Sequence, residues 1–175
     1  MKSSGKATLI LELVILRHGK AGIRSPSMGE DFERGLTTSG RKDIEDVANS
    51  TNVLKLVFDK IATSPLIRAR ETAEIVAKAL KKQNVLEVWD ELKPEAGTAD
   101  LYRRLSELKV DSSILIVGHE PCLSGVISDL ISGGKNSRIL LEKGGMAKVI
   151  IDSFAPKPSG ELAWLLTPRQ IKRIS

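Results

Sequence analysis

Short apolar runs of strand length alternate along this chain with longer stretches whose apolar residues recur at helical spacing, and few architectures accommodate that alternation. Residues 9–16 are apolar except for Glu12 and read as a buried strand. Residues 57–63 (weakened by Asp59 and Lys60), 85–88 and 113–117 read as further strands, the last being the clearest. Thr37, Thr38 and Ser39 offer caps for a helix whose inner face carries Ile44, Val47 and Ala48. Ser64-Pro65 reads as an N-cap and first-turn proline before Leu66, Ala69, Ala73, Val76, Ala77 and Leu80. Leu101, Tyr102, Leu105 and Leu108 mark a third helix, starting at Thr98 or Asp100, and Leu123, Val126, Ile127 and Leu130 a fourth. Residues 148–151 and 162–166 close the chain as strands. This order predicts a three-layer α/β/α fold with a largely parallel central sheet, its last two strands adding an antiparallel pair at one side.

The 175 residues suit one domain, read here as 9–175 behind an extension of residues 1–8. Lys2 and Lys6 before an apolar run superficially resemble a secretory signal, but Glu12 interrupts the run and no small-residue cleavage site follows. No stretch approaches the roughly 20 apolar residues that span a bilayer. Cys122 is the single cysteine, and no Cys/His cluster has zinc-site spacing. A cytoplasmic, metal-free protein without a membrane partner is expected. The formal charge of +5 invites a nucleic-acid reading. Aromatic residues that would stack bases make up only 3% of the chain, so lysines and arginines on solvated faces and in the tail 169–173 are the simpler account.

Only two histidines are present, and they share one setting. His18 closes Leu13-Val14-Ile15-Leu16-Arg17 and precedes Gly19; His119 follows Ile114-Leu115-Ile116-Val117-Gly118. Ligands of open α/β sheets bind beyond the carboxyl ends of the strands, so two parallel strands would deliver both imidazoles to one rim. Arg17 and His18 are neighbours and face one site only if the strand has ended, with Gly19 supplying freedom to turn. Arg68 falls in the first turn of the helix after Ser64-Pro65, near free N–H groups and a positive dipole end. Arg34 sits in a loop and, taken alone, reads as a solvated charge.

These residues carry a resemblance. Leu16-Arg17-His18-Gly19, Arg34-Gly35-Leu36-Thr37, Ser64-Pro65 with Arg68-Ala69 and Thr72-Ala73, and Val117-Gly118-His119-Glu120-Pro121 resemble the ordered motifs of the histidine phosphatase superfamily, whose fold is phosphoglycerate mutase-like. Leu36-Thr37-Thr38-Ser39-Gly40 and the compact length are most similar to its SixA-like phosphohistidine phosphatase branch. The resemblance implies His18 as nucleophile, Arg17, Arg68 and His119 as a phosphate clamp, Arg34 as a fourth member, Gly19 beside the substrate, and no cofactor. Phosphoryl transfer asks a protein for a positioned nucleophile and positive charge around the equatorial oxygens, which this set supplies.

Many members of the superfamily carry a carboxylate that protonates the leaving oxygen. Here the corresponding stretch is Glu91-Leu92-Lys93-Pro94-Glu95, with proline at the acid position. Glu91 or Glu95 would have to substitute, and each reads equally well as an ordinary loop carboxylate. A phosphohistidine P–N bond is activated by protonation of its own imidazole and depends less on such an acid. The expected function is therefore hydrolysis of phosphohistidine on a phosphocarrier or histidine-phosphotransfer protein, by a monomer. A small-molecule phosphomonoesterase, a mutase and a silent phosphate-binding module are the alternatives. Trp89 and Trp164 read as packing residues, and Lys20 as a rim charge without a role.

Overall fold

A computed structural model describes residues 11–23, 28–134 and 137–174. The expected N-terminal extension and the first two residues of the run at 9–16 lie outside the described residues. The elements in chain order are β1 (Leu11–Arg17), α1 (Met28–Glu33), α2 (Thr38–Val53), β2 (Lys60–Thr63), α3 (Ile67–Ala79), β3 (Leu86–Val88), α4 (Thr98–Ser106), β4 (Ser112–Gly118), α5 (Cys122–Ser132), β5 (Met146–Ser153), β6 (Ser159–Leu166) and α6 (Pro168–Ile174). One six-stranded sheet has the order β3-β2-β4-β1-β5-β6. Its first four strands run parallel, while β5 is antiparallel to β1 and β6 to β5, as the strand order in the sequence predicts.

The sheet is buried on both faces because alternate residues of its apolar strands serve different cores. Leu11, Leu13 and Ile15 of β1 and Ile114 and Ile116 of β4 pack with α4 and α5. Val14, Leu16, Leu115 and Val117 pack on the other face with α2, α3 and Ile171 of α6. Glu12, the one charge in the first run, is held by Lys148 of the neighbouring β5 at 2.8 Å.

Three local departures from the sequence reading have physical causes. Helix α3 begins at Ile67, with Leu66 at its N-cap; the Ser64 hydroxyl accepts the N–H of Leu66 at 3.3 Å and also lies 2.9 Å from His119 Nε2. Strand β2 spans only Lys60–Thr63, and the Asp59 carboxylate before it accepts the N–H of Ser113 at 2.9 Å. The basic tail forms α6, which docks on α2 through fully buried Ile171 and through Lys172, whose Nζ lies 2.6 Å from Asp43.

The start of α2 sets the height of the loop that follows β1. Thr37 caps the helix, its Oγ1 accepting the N–H of Gly40 at 3.0 Å, while its own N–H donates to the carbonyl of Lys20 at 2.9 Å. A Cβ on Gly40 would stand 2.1 Å from that carbonyl oxygen, so no larger residue fits without moving the loop. Gly40→Ala is expected to cost about 1–3 kcal/mol, the range for an overpacked site. Urea unfolding measures it, and an unchanged midpoint would mean that the loop yields freely.

Candidate active site

Register places the two histidines together. In the parallel ladder Arg17 of β1 stands opposite Gly118 of β4, and Thr63 of β2 opposite Val117. The next residues continue the pairing just beyond the strands, His18 N–H donating to Gly118 O at 3.1 Å and Ser64 N–H to Val117 O at 3.0 Å. The rings of His18 and His119 consequently lie 4.9 Å apart between centroids, tilted by 54°. Both are buried.

The tautomer of His18 follows from its partners. Nδ1 lies 2.7 Å from the carbonyl of Gly19, which only accepts, so Nδ1 carries the proton. Nε2 faces Nε–H of Arg68 at 3.3 Å, a group that only donates. The lone pair therefore resides on Nε2, which faces the cleft. Thr72 of α3 accepts the N–H of Gly19 at 3.1 Å and ties the His18 loop to the helix bearing Arg68. Gly19 is required for closeness rather than for turning: its φ lies outside the left-handed region, and a Cβ would meet Ile44 Cγ1 at 2.8 Å.

A carboxylate that the sequence reading did not single out organises the arginines. Asp31 of α1 receives both terminal nitrogens of Arg68, Nη1 at its carbonyl (2.7 Å) and Nη2 at Oδ2 (3.1 Å). Its Oδ1 lies 2.8 Å from Nη2 of Arg34, whose Nη1 donates to Gly22 O at 2.9 Å. With both ends of Arg68 turned to Asp31, Nε is the edge directed at His18. Arg17 is anchored by Nη1 on Leu141 O at 2.9 Å. Glu71, also absent from the sequence reading, accepts Leu36 N–H at 2.6 Å and pairs with Arg41, securing the loop that presents Arg34.

His18, Arg17, Arg68, His119 and Arg34 line one cleft of about 250 Å³, together with Asp31, Pro94, Glu120 and Lys143. Gly19 is not among the lining residues; its carbonyl holds Nδ1 of His18. Glu91 is not among the lining residues; its carboxylate pairs with Arg104 at 2.8 Å, and Arg104 in turn lies 4.2 Å over the ring of Trp89. Pro94, at the position where the resemblance expects an acid, does line the cleft. Ser64, read from sequence as a helix cap, instead lies 2.9 Å from His119 Nε2. Among the described residues Nδ1 of His119, Nε of Arg17 and Nε of Arg34 are buried without a hydrogen-bond partner, as is Oδ1 of Asp31 apart from its ion pair with Arg34, and all four residues belong to the wall of this cleft. Buried polar atoms are ordinarily paired, and here nitrogen atoms short of a partner converge on one cavity. Among the described residues no group of three or more His, Cys, Asp or Glu is placed to hold a metal ion.

Burial keeps both imidazoles neutral. It pushes the pKa of His18 down to about 3, with Arg68, Arg17 and Lys143 adding to the fall against the opposing bond to Gly19. His119 falls to about 2, first through burial and then through His18 and the same arginines. Below pH 6.5 the unfolded histidines take up protons that the folded ones refuse. Their contribution to stability is thus intact above 6.5 and is lost progressively as pH falls toward 3.

The profile of the histidine phosphatase superfamily (branch 1) matches residues 13–100, and the chain belongs to that superfamily. Its architecture is of the phosphoglycerate mutase type. An uncharacterized protein of Picosynechococcus sp. is 35% identical over 138 residues, 78% of this chain and 82% of the relative. The phosphohistidine phosphatase SixA of Escherichia coli K12 is 26% identical over 164 residues, 93% of this chain and 97% of its own. The solved structure of the protein histidine phosphatase SixA complexed with tungstate superposes with a TM-score of 0.80 at 27% identity, over 92% of this chain and 99% of that one.

The tautomer argument is open to direct measurement. Nitrogen-15 shifts of the imidazoles should show His18 as a neutral, Nδ1-protonated ring from pH 8 down to pH 5. A titration midpoint near 6.5 would contradict the buried, cation-flanked setting.

Proposed function

We propose that this protein is a phosphohistidine phosphatase that works through a phosphoenzyme on His18. The observation that carries the reading is the set of buried, unpartnered nitrogens of Arg17, Arg34 and His119 around an imidazole whose Nε2 carries the lone pair and faces the cleft, held among the described residues only by Nε–H of Arg68. The likeness to SixA proteins supports the same reading. Nε2 of His18 attacks phosphorus in line, the P–N bond to the substrate imidazole breaks, and that imidazole leaves carrying a proton. Water then attacks phospho-His18, releasing inorganic phosphate and regenerating the neutral ring.

Arg17, Arg34 and Arg68 neutralise the equatorial oxygens as charge spreads over them in the transition state. With the Ser64 hydroxyl donating to Nε2, His119 carries its proton on Nδ1 and donates it to a phosphoryl oxygen. Arg68 is the closest cation to the bond being made. Asp31 is a positioning residue that aims it, at the cost of placing a negative charge near the phosphate.

A second reading, a small-molecule phosphomonoesterase, is favoured by one observation: Glu120 is a carboxylate in the cleft wall. Its Oε1 accepts the N–H of Ser124 at 2.9 Å, and the other oxygen is available for proton transfer. An alkoxide leaving group gains about 10²–10⁴-fold from a general acid. If Glu120 serves one, Glu120→Gln should depress phosphoester turnover by that factor and leave phosphohistidine turnover nearly unchanged.

His18→Ala is expected to abolish turnover of a phosphohistidine peptide while the folded far-UV signal persists. Mass spectrometry after alkaline quench should find acid-labile phosphate on His18 of the wild type. Full activity in the variant would overturn the proposal. Arg68→Ala should lower kcat/KM by about 10²-fold or more, as loss of a preorganised charge stabiliser does. Since guanidinium groups supply the positive charge in this reading, EDTA should leave the rate unchanged; inhibition reversed by added metal would refute that assignment.

A further inference from the structure

The cleft opens at one side into a second, wider depression of about 560 Å³ that the phosphoryl chemistry does not use. The two share Arg17 and Lys143, so they form one continuous surface. Lys20, Lys143, Arg169 and Lys172 line the depression, against the two carboxylates Asp43 and Glu142. Asp43 is shared, lying 3.0 Å from Nζ of Lys20 and 2.6 Å from Nζ of Lys172. Neither Lys143 nor Arg169 has an ion-pair partner among the described residues, and both side chains are exposed. Leu140 is 73% exposed at the rim, beside Pro168, and supplies an apolar contact point.

We propose that this depression is a docking groove for an acidic surface of the phosphorylated protein whose phosphohistidine enters the cleft. The inference rests on the phosphohistidine reading of the cleft and names the kind of partner it serves. A phosphoryl group and its imidazole fit the 250 Å³ cleft, so a groove twice that volume leading away from His18 contacts only something larger. Binding energy gathered at such a distance raises kcat/KM for the whole partner and does nothing for the isolated phosphoamino acid. Cations at a rim chiefly steer encounter and set register with a partner of opposite charge. No aromatic side chain is among the residues that line the groove to stack bases, which favours a protein over a nucleic acid. The groove also gives a use to Lys20 and to α6, which the chemistry leaves idle.

The test separates the groove from the cleft. Full-length wild type, Arg169→Glu and the double variant Arg169→Ala/Lys172→Ala are assayed on an acidic phosphocarrier protein phosphorylated on histidine, and on free phosphohistidine. Both variants should lose about tenfold or more in kcat/KM on the protein, chiefly through KM, and stay within about twofold of wild type on free phosphohistidine. Arg169→Lys should restore the protein rate, and high salt should erase the difference. Binding of the same phosphoprotein to His18→Ala, with and without Arg169→Glu, reads the groove without turnover; Kd should rise about tenfold. Equal losses on both substrates, an unchanged rate on the protein, or groove variants that lose only affinity for nucleic acid would overturn the proposal. If wild type failed on free phosphohistidine, the reading of the cleft would fall, and the binding measurement would still judge the groove.

Discussion

The parallel pairing of β1 with β4 is the constraint on which the site depends. Had the register slipped by one residue, His18 would stand opposite Gly118 and its ring would swing to the other side of the sheet edge. In the observed register one hydrogen bond, from His18 N–H to Gly118 O, extends the ladder past the strand ends and brings two imidazoles within 4.9 Å. That register is secured by the apolar alternation of both strands. Leu13, Ile15, Ile114 and Ile116 belong to one core, and Val14, Leu16, Leu115 and Val117 to the other. The residues that bury the sheet therefore also aim the chemistry.

Against this frame the arginines present an electrostatic problem. Arg17, Arg34 and Arg68 converge beside two imidazoles, and Asp31 is the carboxylate that bridges two of them. With Lys143 and Glu120 also in the wall, four cations against two carboxylates leave a net positive cavity, and burial makes that imbalance costly until an anion arrives. Burial chiefly keeps the histidines neutral, and the same field adds to it. That field also attracts a phosphoryl dianion, and a bound dianion would raise both imidazole pKa values. The empty site and the occupied site thus favour different protonation states, which suits the role proposed for His18, attacking phosphorus and later leaving from it.

Features set by local pattern were legible in the sequence, and features set by distant partners were not. The strand ends carrying His18 and His119, the Thr37 cap and the inner face of α2 all follow from residues a few positions away. Ser64-Pro65 has the local signature of a helix start, yet His119, 55 residues on, engages the Ser64 hydroxyl and the helix begins at Ile67. Asp31 sits in a polar stretch and became visible only when Arg68, 37 residues away, was seen to turn both terminal nitrogens toward it. The tail at 169–173 looked like solvated charge because one apolar residue, Ile171, gives no periodicity. Gly19 was read as a hinge, whereas the approach of Ile44, which no sequence window shows, is what excludes a side chain there.

The wall opposite the arginines bears on which bond the cleft can break. Glu91 is drawn off by Arg104, and Pro94 fills the position where a proton donor is expected. Pro94 has neither N–H nor a titratable group, so that wall offers a leaving oxygen no proton. Glu120 remains, with one oxygen committed to the N–H of Ser124. In the proposed reaction the imidazole leaving group arrives with its own site for a proton, so a wall without a donor suits it better than it suits an alkoxide.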